Sequence, residues 1–138
     1  MSRTGCLVLG GVVLAFVVGC TGKSREAAQA ATERFRARTL RGAFAEIYGA
    51  AAPDLRAAGS EEQFVKMMDV VGRKLGRWQS AEPQGWRALM GTGGRTVTLG
   101  FKSQFEKGVG HEEFQWRIQD PEPALVSYRI NSPLLMPE

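Results

Sequence analysis

The sequence predicts an α+β fold in which three helices come first and pack on a curved antiparallel sheet of about four strands. Between residues 25 and 75, apolar residues recur every three or four positions, as they do on one face of a helix. From residue 77 onward they recur at every second position, which is typical of half-buried strands. Short glycine- or proline-rich turns separate these later segments, so consecutive strands are expected to pair as antiparallel neighbours.

The first predicted helix covers about residues 25–38, where Ala, Glu, Gln and Arg predominate and all favour helices. Ser24 is expected to cap its N-terminus. A narrow apolar stripe at four-residue spacing consists of Ala27, Ala31 and Phe35. The arginines at positions 34, 36, 38 and 41 point in different directions around this helix, so we expect them on a solvated face, with a membrane-facing patch as the alternative.

Two further helices follow. The second begins after Gly42 and ends at Pro53, because the residue before a proline avoids the helical region. Residues 54–59 are expected to form an irregular link. The third helix begins with a capping box, Ser60-Glu61-Glu62-Gln63, and stops near Gly76. Its apolar face contains Phe64, Met67, Met68, Val71 and Leu75.

The first strand is predicted from Arg77 to Met90, with an interruption at Glu82-Pro83. Proline cannot donate a ladder hydrogen bond, so this strand is expected at a sheet edge or to contain a bulge. The glycine-rich segment from Gly91 to Gly94 predicts a hairpin turn. No helix and no Lys-Ser/Thr pair follows it, which argues against a phosphate-binding loop.

Three more strands are predicted by strict alternation of apolar and polar residues. The positions expected to face inward are Val97, Leu99, Phe101, Ser103 and Phe105 in the second strand, Glu112, Phe114, Trp116 and Ile118 in the third, and Val126, Tyr128 and Ile130 in the fourth. Residues 133–138 are expected to form a tail whose apolar part, Leu134-Leu135-Met136, packs back on the domain. An exposed docking segment is the alternative.

The N-terminus carries a short apolar run, Leu7 to Val18, preceded by Arg3. A positive start, a short apolar core and a small residue before the cut are typical of a secretory signal. The run is shorter than the roughly 20 apolar residues that a bilayer-spanning helix needs. A transmembrane anchor and an ordinary secretory signal are the two alternatives.

The end of this run, Val17-Val18-Gly19-Cys20, resembles the lipobox of bacterial lipoproteins. The resemblance implies cleavage after Gly19 and a lipid on Cys20. We therefore expect a signal peptide at 1–19, a lipid-anchored tether at 20–24, a single α+β domain at 25–132 and a tail at 133–138. Thr21 rather than Asp follows Cys20, which resembles the pattern of lipoproteins on the periplasmic face of the outer membrane.

Cysteine usage and charge exclude several classes of function. The chain has two cysteines, of which Cys6 would leave with the signal and Cys20 would carry lipid. The mature domain would then hold no disulfide and no cysteine metal ligand. Lys and Arg number 18 against 14 acidic residues, but they are scattered rather than clustered, so no nucleic-acid partner is expected.

Several local motifs resemble those of the nuclear-transport-factor-2-like cone, in particular of an uncharacterised group of secreted or lipid-anchored bacterial proteins. These motifs are Phe44-Ala45-Glu46-Ile47-Tyr48 with Pro53 after it, Ser60-Glu61-Glu62-Gln63-Phe64, Leu75-Gly76, Gly94 followed by Val97-Thr98-Leu99, and Glu113-Phe114-Gln115-Trp116. The resemblance covers about residues 25–132 and implies a cone-like domain, cystatin-like in its general plan. Related cones serve as isomerases, dehydratases, ligand carriers and scaffolds, so it does not choose a function.

Cone enzymes such as the steroid isomerases place an acidic base and tyrosine-like donors in the pocket. Tyr48 and Tyr128 lie on apolar faces, and Glu112 is the acid expected to face inward. His111 lies beside a glycine turn, and His111-Glu112-Glu113 lacks the second histidine or cysteine that a zinc site needs. We assign no catalytic residue, no metal site and no cofactor.

Three functions remain. The first is a non-catalytic, lipid-anchored cell-envelope protein that acts through protein or envelope interactions. The second is a carrier of a small apolar ligand in the cone. Its expected lining is Tyr48, Leu99, Phe101, Phe114, Trp116, Val126 and Tyr128. The third is an isomerase- or hydrolase-type enzyme. An open cavity bordered by Tyr48 or Tyr128 would favour the carrier, and a filled cone would favour the interaction module.

Overall fold

The computed structural model describes residues 22–137, and its helices precede its strands. The first helix, α1, is described over residues 22–40, and the next three are α2 (Phe44–Ala50), α3 (Pro53–Ala58) and α4 (Glu61–Leu75). The strands are β1 (Trp78–Gly91), β2 (Gly94–Phe105), β3 (Val109–Arg117) and β4 (Ala124–Asn131). One 3-10 turn, Pro133–Leu135, follows β4.

The four strands form one curved, unclosed sheet in the order β1-β2-β3-β4, with every neighbouring pair antiparallel. Each strand therefore pairs with the next one along the chain, as the short turns predict. The predicted α+β class, with helices packed on a curved sheet of four strands, is confirmed. None of the helices in residues 22–137 combines the length and apolar composition that a bilayer crossing requires.

The edge strand β1 contains the predicted irregularity. Pro83 pairs with Phe101 while Gly85 pairs with Gly100, so Gln84 is an extra residue on the β1 side. A bulge at an edge is where a strand tolerates proline, because the missing N–H faces outward. The predictions of an edge strand at Pro83 and of the hairpin turn after Gly91 are both confirmed.

A bulge in β4 corrects the predicted alternation of that strand. Gln115 pairs with Ser127 and Trp116 pairs with Leu125, so Val126 is the extra residue. Past a bulge the two faces exchange, and Leu125 becomes a core residue that is 2% exposed. The prediction that Leu125 faces outward is therefore wrong.

The helical region differs from the prediction in one segment. Residues 54–59 were expected to be irregular, but Pro53–Ala58 form α3. Pro53 ends α2 and also begins α3, since its fixed φ suits the first helical position, where no N–H partner is needed. The domain therefore has four helices in its described part rather than three.

The two predicted helix caps have different outcomes. Ser24 lies inside α1, where its Oγ accepts a hydrogen bond from Arg95 Nη1 at 3.0 Å, so the N-cap prediction is wrong. The capping box of α4 is confirmed, because Ser60 Oγ accepts from Gln63 N and Ser60 N donates to Gln63 Oε1. Gly76 ends α4 with φ of 79°, a conformation that favours glycine.

The core lies between the helices and the inner face of the sheet. Its main cluster includes Phe35 from α1, Met68 from α4, and Leu99, Phe114 and Trp116 from the sheet. A second, smaller cluster at the end of α4 consists of Val71, Leu75 and Phe105. Leu135 packs against this second cluster, as expected for the tail.

Candidate functional site

A buried ion pair joins α1 to the middle of the sheet. Arg36 on α1 is 5% exposed and Glu112 on β3 is 4% exposed. The distance from Arg36 Nη1 to Glu112 Oε1 is 2.9 Å. Glu112 faces inward as its position in the alternation predicts. The prediction that Arg36 lies on a solvated face is wrong, because this face of α1 rests on the sheet.

Two hydroxyl groups complete the hydrogen bonding of Glu112. Ser103 Oγ on β2 donates to Oε1, and Tyr128 Oη on β4 donates to Oε2 at 2.6 Å. Each of these donors stands on a strand next to β3, two positions in register from the direct partners of Glu112, which are Phe101 and Ile130. Both carboxylate oxygens are therefore occupied by donors from three different elements, as a buried charge requires.

The same environment changes the acidity of Tyr128. Burial raises the pKa of its hydroxyl well above 10, and the charge and hydrogen bond of Glu112 raise it further. The positive charge of Arg36 opposes this shift but is the smallest contribution. Tyr128 therefore stays protonated near neutral pH and acts as a fixed hydrogen-bond donor.

Aromatic rings surround the guanidinium group of Arg36. Its Cζ lies 4.3 Å from the centroid of the Trp78 ring and 5.3 Å from the centroids of Phe101 and Phe114. Such faces stabilise a cation that is withdrawn from water. The positive charge of Arg36 is thus stabilised by the carboxylate of Glu112 and by the aromatic rings packed around its guanidinium group.

A cavity of about 200 Å³ lies beside this ion pair. Arg36, Trp78, Glu112 and Tyr128 form part of its wall. The other wall residues are mostly apolar or glycine, and the polar ones among them are Thr39, Arg77 and Glu106. The apolar ones are Phe35, Leu40, Phe44, Met68, Val71 and Phe105. Two buried nitrogen atoms on the wall residues, Arg36 Nη2 and Trp78 Nε1, have no hydrogen-bond partner within residues 22–137. The cavity therefore has a largely apolar wall, and two residues of that wall each carry one buried nitrogen without a hydrogen-bond partner in the described part of the chain.

A larger, more open cleft of about 860 Å³ lies between α4 and the last three strands. Glu112 and Tyr128 line both this cleft and the smaller cavity, so these two side chains lie between the two spaces. His111 lies at the cleft in an exposed position, with its Nδ1 3.3 Å from Gln84 Oε1. In the part of the chain that the structure describes, no three His, Cys, Asp or Glu side chains are grouped as metal ligands.

The structure distributes the seven expected lining residues over several places. Tyr128 borders both spaces described above, and Phe101 lines the open cleft. Tyr48 and Val126 line a third cavity, of about 270 Å³, which Tyr128 also borders. The Tyr48 hydroxyl donates to the carbonyl oxygen of Gly59 at 2.8 Å.

The other three expected lining residues, Leu99, Phe114 and Trp116, are buried in the main core cluster and line none of these three spaces. Trp116 Nε1 instead donates to Thr32 Oγ1 at 3.0 Å. The middle of the inner face of the sheet is thus covered by packed side chains, and the open space that Tyr128 borders lies beside the Arg36–Glu112 pair. The proposed lipidation residue, Cys20, lies outside the described residues.

Three site residues could not be identified from the sequence alone: Arg36, Ser103 and Trp78. Ser103 was placed on the inner face, but its pairing with Glu112 depends on the register of β2 against β3. The sequence contains one indication that Arg36 could be buried. It directly follows Phe35, so it lies next to the apolar stripe of α1. The chain matches no protein-family model and no curated protein.

Proposed function

We propose that this chain is a non-catalytic, lipid-anchored protein of the bacterial cell envelope whose domain carries a small ligand in the cavity beside Arg36 and Trp78. One observation carries the ligand-binding part of this proposal. Two buried donors, Arg36 Nη2 and Trp78 Nε1, lie on residues of the cavity wall without a partner among residues 22–137. Buried polar groups are nearly always hydrogen-bonded, and each unpaired donor costs about 1–3 kcal/mol. A ligand oxygen that accepts from them would recover this cost.

The chemistry of the wall favours an uncharged acceptor on an apolar body. The charge of Arg36 is already compensated by Glu112 at 2.9 Å, so a carboxylate ligand would place two anions around one guanidinium. A carbonyl oxygen would satisfy the donors without adding charge. The volume of about 200 Å³ corresponds to roughly seven water-sized groups, which is enough for a short aliphatic chain.

The hydrogen bonding of Glu112 supports binding rather than proton transfer. A general base needs a carboxylate oxygen that can reach the proton it removes. Both oxygens of Glu112 are engaged by Arg36, Ser103 and Tyr128. Tyr128 is held protonated by its raised pKa, so it serves as a donor rather than as a base.

The anchor part of the proposal is supported by the motif Val17-Val18-Gly19-Cys20 and by the position of α1. Helix α1 already includes residue 22, two residues after Cys20. A lipid on Cys20 would hold the domain on the periplasmic face of a membrane, and Thr21 favours the outer membrane. A carrier held there would exchange its ligand within the envelope.

Calorimetric titration with two six-carbon probes tests ligand binding. We expect 2-hexanone, a neutral carbonyl compound, to bind saturably, and hexanoate to bind more weakly because of its charge. Trp78→Phe removes the indole N–H, so the affinity for 2-hexanone should fall by about tenfold, equivalent to one hydrogen bond of about 1.4 kcal/mol. Trp86→Phe is the matched control, because Trp86 lies outside the cavity wall and should leave the affinity unchanged.

Native mass spectrometry of the protein purified from its own host provides a second test. A bound small molecule that is lost in Trp78→Phe would agree with the carrier. A co-purifying protein without a small molecule would favour the envelope-interaction function instead. Two results together would contradict the carrier function. Both probes would give heats no larger than a buffer blank, and the native mass would equal that of the protein alone.

A further inference from the structure

The hairpin between β1 and β2 presents large apolar side chains to solvent. Leu89 is 57% exposed and Met90 is 70% exposed, and Trp86 nearby is 40% exposed. All three lie on the edge strand β1, close to the turn at Gly91–Gly94. Clustered apolar residues at one exposed end of a molecule mark a surface that contacts something other than water.

This hairpin contacts the N-terminal part of α1. Arg95 Nη1 on β2 donates to Ser24 Oγ at 3.0 Å. The guanidinium Cζ of Arg25 lies 5.2 Å from the centroid of the Trp86 ring. The tip of the hairpin and the start of α1 therefore form one end of the domain, which we call the anchor-side surface (residues 22–26 and 86–95).

The anchor-side surface lies close to Cys20 along the chain. Only two peptide units separate Cys20 from Gly22, which limits the distance between their Cα atoms to about 7 Å. Residue 22 is already helical, so it cannot act as a long flexible tether. A lipid on Cys20 would hold this end of the domain against the bilayer.

The charge of this surface is suited to anionic headgroups. Within residues 22–26 and 86–95 the cations are Lys23, Arg25, Arg87 and Arg95, and the single acid is Glu26. Basic side chains flanking exposed apolar ones are typical of segments that lie in the interface of a membrane. Anionic lipids attract such cations at short range.

We propose that the anchor-side surface docks on the bilayer that holds the lipid of Cys20, with Leu89 and Met90 inserted among the headgroups. This inference rests on the lipid-anchor part of the proposed function and is independent of the ligand. Trp78 lies at the other end of β1, which spans 14 residues, or about 40 Å. Docking would therefore turn the cavity beside Trp78 away from the membrane.

A depth measurement on the full, lipidated chain in vesicles of phosphatidylethanolamine and phosphatidylglycerol tests the docking. Cys6 leaves with the signal and Cys20 is acylated, so a cysteine introduced in Met90→Cys would be the one free thiol for an environment-sensitive fluorophore. Met136→Cys is the matched control, because Met136 is 65% exposed and follows the 3-10 turn that packs near the opposite end of the sheet. We expect a lipid-dissolved quencher to act several-fold more strongly at position 90 than at position 136.

The double variant Lys23→Glu with Arg87→Glu tests whether the positive charge of the anchor-side surface contributes to docking. Quenching at position 90 should fall in this variant, and it should also fall with added salt in the parent. Equal quenching at positions 90 and 136 in an acylated protein would overturn the docking surface. Protection of position 90 from both aqueous and lipid quenchers would indicate self-association and would also overturn it. An intact mass without acyl chains would contradict the anchor and this inference together, while leaving the hexanone titration as a separate test.

Discussion

Removing one partner of the buried Arg36–Glu112 pair should destabilise the domain strongly. Both side chains are at most 5% exposed, so each charge depends on the other. Glu112→Gln removes the anion and leaves three donors, from Arg36, Ser103 and Tyr128, around a group that can accept fewer of them. Breaking a buried ion pair costs about 3–5 kcal/mol, which is a large part of a typical stability of about 5–15 kcal/mol.

A double-mutant cycle isolates the pairing itself. Arg36→Met leaves a buried carboxylate and should also cost about 3–5 kcal/mol. The double variant contains neither charge, so its loss should be smaller than the sum of the single losses by about 2 kcal/mol or more. Replacing both ions avoids the uncompensated charge, which is the main source of each single penalty.

Urea unfolding followed by far-UV circular dichroism at neutral pH, on a form lacking residues 1–20, provides the free energies. Asp69→Asn is the matched control, because Asp69 and Arg73 form a pair at 3.0 Å that is well exposed. That exposed pair should contribute less than about 1 kcal/mol. A loss in Glu112→Gln as small as in Asp69→Asn, or a strictly additive cycle, would refute the interpretation of Arg36–Glu112 as a desolvated pair.

Three further outcomes are expected. Trp116→Ala should lower the free energy of unfolding by about 3–5 kcal/mol, since its indole is 5% exposed and bonded to Thr32; a melting curve near that of the parent would contradict this. Because the folded pKa of Tyr128 is raised, the folded state keeps a proton that the unfolded state releases above about pH 10, so stability should fall as the pH rises past that value. Tyr128→Phe should reduce the dependence of the free energy of unfolding on pH in this range. An unchanged dependence would show that another group causes it. Cys20→Ser should abolish incorporation of a fatty-acid probe while leaving the far-UV spectrum of the domain unchanged, and persistent labelling would exclude Cys20 as the lipid site.

Local features of the sequence were sufficient to predict most of the secondary structure. The change of apolar period near Gly76, the capping box at Ser60 and the glycines at 91–94 each act over a few residues. Pro83 indicated an edge strand because its missing N–H is a property of that residue alone. The inward orientation of Glu112 followed from alternation, since a strand turns successive side chains to opposite faces.

The composition of the site could not be predicted in the same way. Arg36 lies 76 residues before Glu112, and only its place directly after Phe35 distinguishes it within α1 from Arg34 and Arg38, which are half-buried. The exchange of Leu125 and Val126 comes from a bulge, which depends on how β4 is registered against β3. Helix α3 was missed because Pro53 stops one helix and begins another within a single turn.

By itself, the sequence determined the order of helices and strands and the inward face of most strands, and it contains a segment, Val17-Val18-Gly19-Cys20, that resembles a lipobox. Only the tertiary structure decided that Arg36 is buried, that Trp78 Nε1 lacks a partner within residues 22–137, and that the hairpin meets the start of α1. The physical reason is the distance along the chain over which each effect acts. Periodicity, capping and turn geometry are set by residues within a few positions of each other, whereas desolvation and cavity walls depend on elements that meet only when the chain has folded.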